Sequence, residues 1–304
     1  MATQEPLSLL DFQARFKDEQ ACRNHLFRIR WPHGYYCPKC GCRSAYYIRT
    51  RDLYECKDCS YQVSLTAGTV MHKTRTSLLA WFWAIYLIAH DKRGCSSLAL
   101  KKAIGVSYQT AWTMSHKIRS AMADRDADYK LAGLVKIDDA YFGGPSDGSD
   151  KSGRGTEKIP VMVAVSVDEN DEPLYAKMEV VENLDKETAK SFALKHVATG
   201  SKITTDGLNI YKVVAQAGYQ HQQVIVSEDK EQALETLKWV HILISNAKAF
   251  IAGTFHGLDG DHLQRYLSEF CYRFNRRYWE RELFNRLLKA CAAAGPATYS
   301  ELTG

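Results

Sequence analysis

Four cysteines carry the sharpest chemical signal in this 304-residue sequence: Cys37-Pro-Lys-Cys40 and Cys56-Lys-Asp-Cys59 are two Cys-x-x-Cys pairs with fifteen residues between them. Each pair bends so that both thiolates face one point, and two such turns supply the four soft ligands of a tetrahedral Zn²⁺ site. The spacing is that of a zinc ribbon, with structural zinc as its expected metal. A second chemistry is based on oxygen. Asp138 closes the run Leu134-Val135-Lys136-Ile137-Asp138, and Asp206 closes Lys202-Ile203-Thr204-Thr205-Asp206 ahead of Gly207. A carboxylate at the end of a buried strand is costly unless a cation or partner neutralises it, and hard divalent cations, Mg²⁺ before others, take such ligands. Two ions roughly 3.5–4 Å apart would activate an attacking hydroxyl and steady the departing oxygen of a phosphodiester. On spacing alone the same aspartates also fit helix caps or turn positions.

The elements that must hold these side chains follow from hydrophobic periodicity. Leu7–Arg30 reads as one helix, without interior Gly or Pro, ending at Trp31-Pro32-His33-Gly34. The ribbon occupies Tyr35 to about Thr69, with short strands at Ala45–Ile48 and Tyr61–Ser64. Thr76–Ala89 is an apolar helix capped by Ser77 or Thr76. Ser96–Trp112 has apolar residues at 98, 100, 103 and 104, a glycine turn at 105 and a Ser-led second helix. That is a helix-turn-helix pattern, whose second helix would turn Tyr108, Gln109, Thr113 and Lys117 toward a DNA groove.

From Leu131 the texture alternates. Strands are expected at 134–138, Val161–Val167, Tyr175–Val181, Lys202–Asp206 and Gln223–Val226, with helices at Glu187–Val197 and Leu234–Ala252. Three consecutive strands, a crossover helix and two further strand and helix units describe a mixed α/β sheet of ribonuclease H-like order. In that arrangement Asp138 and Asp206 end neighbouring strands. The Gly-, Ser- and Asp-rich stretch from Gly143 to Glu157 is expected to be a mobile surface loop.

Charge divides along the chain. Residues 1–130 carry 20 Lys and Arg against 11 Asp and Glu, residues 131–260 carry 13 against 19, and residues 261–304 carry 7 against 5. The front attracts polyanions while the middle concentrates carboxylates. Nine cysteines without a signal-peptide pattern point to a reducing, cytoplasmic setting. The longest apolar stretch, Leu78–Ala89, is too short for a bilayer, which needs about 20 residues, so no membrane association is expected.

In order, the ribbon, the helix-turn-helix, Ile137-Asp138-Asp139-Ala140-Tyr141-Phe142-Gly143-Gly144, Thr205-Asp206-Gly207, His241–Lys248, Gly253–Gly257, His262–Phe270 and Arg273–Arg277 resemble the IS1595 family of insertion-sequence transposases, the ISXO2-like group. The resemblance runs from about Phe12 to the C-terminus and implies DDE-type cleavage and strand transfer under two Mg²⁺ or Mn²⁺ ions, without a covalent enzyme intermediate. It matches Asp138 and Asp206 to the two acidic positions, Asn246 to the third metal ligand and Lys248 to the basic residue that follows. His241, upstream on the same helix, is the rival third ligand. The family usually has an acidic residue before the first aspartate and Glu after it, where this chain has Lys136 and Asp139.

The implied partners are double-stranded DNA, both element ends and target, and a second copy of the chain to pair two ends, in a bacterial, nucleoid-associated setting. Arg273, Arg276 and Arg277, interleaved with aromatics, are expected to contact phosphates. The expected modules are 1–34, a helical segment; 35–69, the ribbon; 70–130, the helix-turn-helix region; and 131–304, the catalytic domain with basic C-terminal helices. A DNA-binding relative that has lost the chemistry, and a nuclease that cuts without joining, are the alternatives.

Overall fold

The computed structural model describes residues 7–143, 158–224 and 235–303. It divides into two compact units, one made of Met1–Arg125 with Tyr278–Gly304 and the other of Asp126–Arg277. No helix among the described residues is long and apolar enough to cross a membrane.

In the first unit, α1 (Leu9–Arg15) and α2 (Glu19–Arg30) replace the single helix expected over 7–30. Asp18 makes the break. Its backbone is extended and its carboxylate accepts the Ala21 amide at 2.8 Å, so it caps a new helix rather than continuing the old one. The antiparallel strands β1 (Ala45–Ile48), β2 (Leu53–Cys56) and β3 (Gln62–Val63) form the small sheet of the ribbon. Ser77 caps α3 (Leu78–His90), and the Glu19 carboxylate accepts the Leu78 and Leu79 amides at 2.8 and 3.0 Å, satisfying donors that a helix start leaves orphaned. Next, α4 (Ser97–Ile104) ends on left-handed Gly105 (φ 69°), and Ser107 accepts the Thr110 amide at the start of α5 (Tyr108–Ala127).

The second unit is a five-stranded sheet. Its elements are β4 (Leu134–Phe142), β5 (Ile159–Val167), β6 (Pro173–Val180), α6 (Lys186–His196), β7 (Lys202–Asp206), a 3₁₀ turn at Asn209–Lys212 leading into α7 (Val213–Gln216), β8 (Gln220–Val224), α8 (Lys238–Thr254) and α9 (Leu263–Phe274). Strand order is β6-β5-β4-β7-β8, antiparallel through the first three and parallel across β4, β7 and β8. The last strand begins three residues before the expected Gln223. Alternation splits β4 between two cores. Ala140 and Phe142 pack with Val240, Leu243 and Ala247 of α8 and Leu267 of α9, whereas Val135 and Ile137 pack with Phe192 of α6 and with Tyr211. Most of the expected Gly143–Glu157 loop lies outside the described residues.

The second unit ends at Arg277, earlier than the expected domain over 131–304. The remaining chain packs with the first unit because α10 (Leu283–Ala293) has an apolar face of its own to bury. Phe284 sits 5.3 Å from both Phe12 and Phe16 and 5.7 Å from Phe82, ring centroid to centroid, and Leu287, Leu288 and Cys291 are fully buried. A short α11 (Tyr299–Thr303) closes the described chain.

Candidate active site and metal centre

The four cysteines converge. In each Cys-x-x-Cys turn the chain reverses through a left-handed residue, Gly41 (φ 80°) after the first pair and Ser60 (φ 57°) after the second. The amides of Gly41 and Ser60 donate back to the carbonyls of Cys37 and Cys56 at 2.9 and 3.1 Å. Cys37 and Cys59 lie 3.6 Å apart through their Sγ atoms, Cys40 and Cys56 lie 3.5 Å apart, and all four sulfurs fall within 4.8 Å of one another. Zinc–sulfur bonds of about 2.3 Å at tetrahedral angles require sulfur edges near 3.8 Å, so this donor set fits Zn²⁺. Trp31, Tyr35, Tyr54 and Phe27 pack ring against ring, mostly edge to face, with centroids 5.0–6.0 Å apart, a small aromatic cluster beside the ribbon strands.

In the second unit the parallel register pairs Leu134 with Lys202 and Ile137 with Thr205, which sets Asp138 and Asp206 at equal height on adjacent strands, each one residue past the last pairing. Both fall on the face of Ala140 and Phe142, toward α8. Asp138 Oδ1 accepts the Asp139 amide at 2.8 Å, and Asp206 Oδ1 accepts the Leu208 amide at 3.1 Å. From α8, the Nε2 of His241 reaches Asp138 Oδ2 at 3.1 Å. That contact raises the His241 pKa: the hydrogen bond that Asp138 accepts outweighs the lowering by burial, and the charges of Asp138 and Asp206 add to it. Among the described residues only the four thiolates form a group of three potential ligands closed to within 4.8 Å, so Asp138, Asp206 and His241 stand more openly.

Helical geometry separates the two rival third ligands. Asn246 is exposed and lies five residues beyond His241, about 140° round a 3.6-residue helix, whereas Lys248 lies seven residues beyond and returns to the stripe of His241. Lys248 Nζ is 5.6 Å from the centre of the Phe142 ring, on the same side of β4 as Asp138. Of the two, His241 is the one that touches Asp138 in this structure, and its heptad spacing to Lys248 puts both on one stripe of α8. Lys136 shares the face of Asp138, but it is buried and its ammonium is ion-paired with Asp171.

Of the four residues expected to read DNA, Tyr108 and Gln109 are exposed at the start of α5, while Thr113 and Lys117 are half-buried. The three arginines expected to contact phosphates are engaged within the chain. Arg276 is buried, 2.8 Å from the Asp126 carboxylate, donates to the Tyr272 carbonyl and stacks on the Tyr272 ring at 3.5 Å. Arg273 pairs with the fully buried Glu269 at 3.6 Å, and Arg277 donates to the Pro173, Leu174 and Phe274 carbonyls. These guanidinium groups bind the protein's own chain, where their forks satisfy acceptors that burial has removed from water.

A model of the ISXO2-like transposase domain matches residues 130–275, and one of the transposase zinc-ribbon domain matches residues 17–62. No curated protein matches the chain. Among solved structures, the Mos1 transposase paired-end complex with left transposon end is similar over 65% of this chain and 76% of its own, at 9% identity and a TM-score of 0.21. The Mos1 mariner paired end complex with Mn is similar over 67% and 75%, at 11% identity and the same TM-score. Such scores are too low to decide anything about this chain. The two family models, matched in order along one polypeptide, do decide it: the chain belongs to the IS1595 family of ISXO2-like transposases and carries that family's zinc-ribbon domain ahead of its transposase domain.

Proposed function

We propose that the protein cuts and joins DNA at the ends of its own element by DDE-type chemistry, with Asp138, Asp206 and His241 as the catalytic cluster. The observation that carries this reading is the equal height of Asp138 and Asp206 on one face of adjacent parallel strands, with His241 set against the first. The sheet order, β6-β5-β4-β7-β8 with two antiparallel pairs followed by two parallel ones, supports the ribonuclease H-like reading. Two carboxylates facing one space are oxygen donors that fit Mg²⁺ or Mn²⁺. When bound, such ions activate the attacking hydroxyl and steady the leaving oxygen. The chain's own residues do the rest. Asp138 and Asp206 offer oxygens toward one space, His241 offers a nitrogen once its proton has left, and Lys248 lends a positive charge to a scissile phosphate.

For DNA capture, the exposed Lys101 and Lys102 of α4 together with Tyr108 and Gln109 of α5 support a helix-turn-helix role, with the glycine turn between them. The ribbon adds Lys39, Arg43 and Lys57, the last 4.8 Å over the exposed Tyr46 ring. Element ends and target DNA are the substrates, and two copies of the chain hold a pair of ends. The test uses end-sequence DNA with Mg²⁺ or Mn²⁺. Wild type should nick and join, Asp206→Ala and His241→Ala should bind without cutting, and Asn246→Ala should keep cutting. Cleavage by Asp206→Ala would remove the catalytic reading; nicking without joining would leave a nuclease, and binding alone a regulator.

A further inference from the structure

The parallel ladder between β4 and β7 stops at Ile137 and Thr205, one residue short of the two aspartates. No backbone pairing between these strands holds Asp138 to Asp206, and two like charges left to themselves move apart. A connection does exist, and it runs through the back of the sheet. Asp139 follows Asp138 and, by alternation, points to the opposite face. There the hydroxyl of Tyr211 donates to Asp139 Oδ1 at 3.0 Å. Tyr211 is wholly buried, its ring packed with Ile137, Ile203 and Phe192. It lies on the 3₁₀ turn that follows β7, where its amide donates to the Leu208 carbonyl at 3.2 Å and the Leu208 amide donates to Asp206 Oδ1. The loop closes on the other side, where the Asp139 amide donates to Asp138 Oδ1.

On the reading above, in which Asp138 and Asp206 hold divalent cations, we infer that Tyr211 and Asp139 are positioning residues, a buried tie that sets the spacing of the two carboxylates. Neither touches substrate. Asp139 faces away from the cation space, and Tyr211 is packed into the core on the α6 side of the sheet. The tie orients the carboxylates before the cation arrives, so its loss lowers cation affinity rather than removing a ligand.

The experiment measures Mn²⁺ binding to the zinc-replete full chain by electron paramagnetic resonance, alongside thermal melting. Tyr211→Phe keeps the ring and removes one hydroxyl. Losing a buried hydrogen bond of ordinary strength translates to Mn²⁺ binding weaker by about fivefold to tenfold. Asp139→Ala should weaken it by a similar factor, and the double variant should weaken it no further, because both changes break the same link. Equal Mn²⁺ affinity in wild type and Tyr211→Phe, with only the melting temperature lowered, would overturn the inference and leave Tyr211 as packing. Asp138→Ala is the control that separates the two claims: if wild type binds no Mn²⁺ that this change abolishes, the carboxylate reading fails and the tie fails with it.

Discussion

Replacing Asp126 by Ala tests the buried polar cluster that occupies the arginines once expected on the surface. The carboxylate of Asp126 lies 2.8 Å from Arg276 Nη1, accepts from Asn275 Nδ2 at 3.0 Å, and its backbone carbonyl accepts from the Lys177 ammonium. Asn275 also clamps edge strand β6, accepting the Ala176 amide at 2.7 Å and donating to the Ala176 carbonyl at 3.1 Å. Both ionic side chains are only 9% exposed, so removing the anion leaves a guanidinium that water cannot reach. Truncating one partner of a buried pair costs about 3–5 kcal/mol. Arg276 retains the Tyr272 carbonyl and ring, which places the expected loss near the lower end, about 3 kcal/mol, or roughly a hundredfold in local opening. The assay is hydrogen exchange read on peptides covering Pro173–Val180 and Leu263–Arg277, because the two-unit chain does not guarantee a single unfolding transition. Exposed ion pairs weaken with salt, whereas this effect should persist at high ionic strength. An opening free energy lowered by less than about 1 kcal/mol would refute the reasoning, since that is the range of surface pairs. Asp126→Ala combined with Arg276→Met should recover part of the loss, as both charges then leave together.

Zinc removal, or Cys40→Ser, should unfold the ribbon around Tyr35–Thr69, because so small a sheet draws its folding energy from the metal; unchanged circular dichroism and DNA affinity after chelation would count against this. His25 is held below its ordinary pKa chiefly by burial, against the raising effect of its hydrogen bond with Asn285. Its neutral form is thus the folded form, so its contribution to stability is complete above the unfolded value near 6.5 and is lost as pH falls through the lower folded value. Denaturant titrations between pH 7.5 and 5 should show His25→Phe losing that acid-side slope, and an identical slope in wild type and variant would discard the assignment.

Much of the molecule was legible locally. A Cys-x-x-Cys turn needs only a few residues to aim two thiolates, so the zinc site could be read from spacing, and the helix-glycine-helix of 97–127 could be read from the left-handed requirement at Gly105. Strand periodicity likewise carried Asp206 to the end of β7, whereas the strand expected to stop at Asp138 runs on to Phe142, because Ala140 and Phe142 have a core under α8 to pack into. Local pattern failed where two tendencies competed. The apolar spacing of 7–30 continued through Asp18, yet the capping strength of that carboxylate split the helix.

What the sequence determined alone was therefore the four thiolates of the ribbon and the order of elements, because these depend on neighbours within a turn or two. Tertiary structure decided three other matters. It set Asp138 beside Asp206, since the height of parallel strands follows from long-range pairing. It brought His241 against Asp138, since only the docking of α8 on the sheet determines which helical stripe meets the carboxylate. It also turned Arg276 inward, because Asp126, 150 positions earlier in the chain, offers a buried partner that no local reading of charge could reveal.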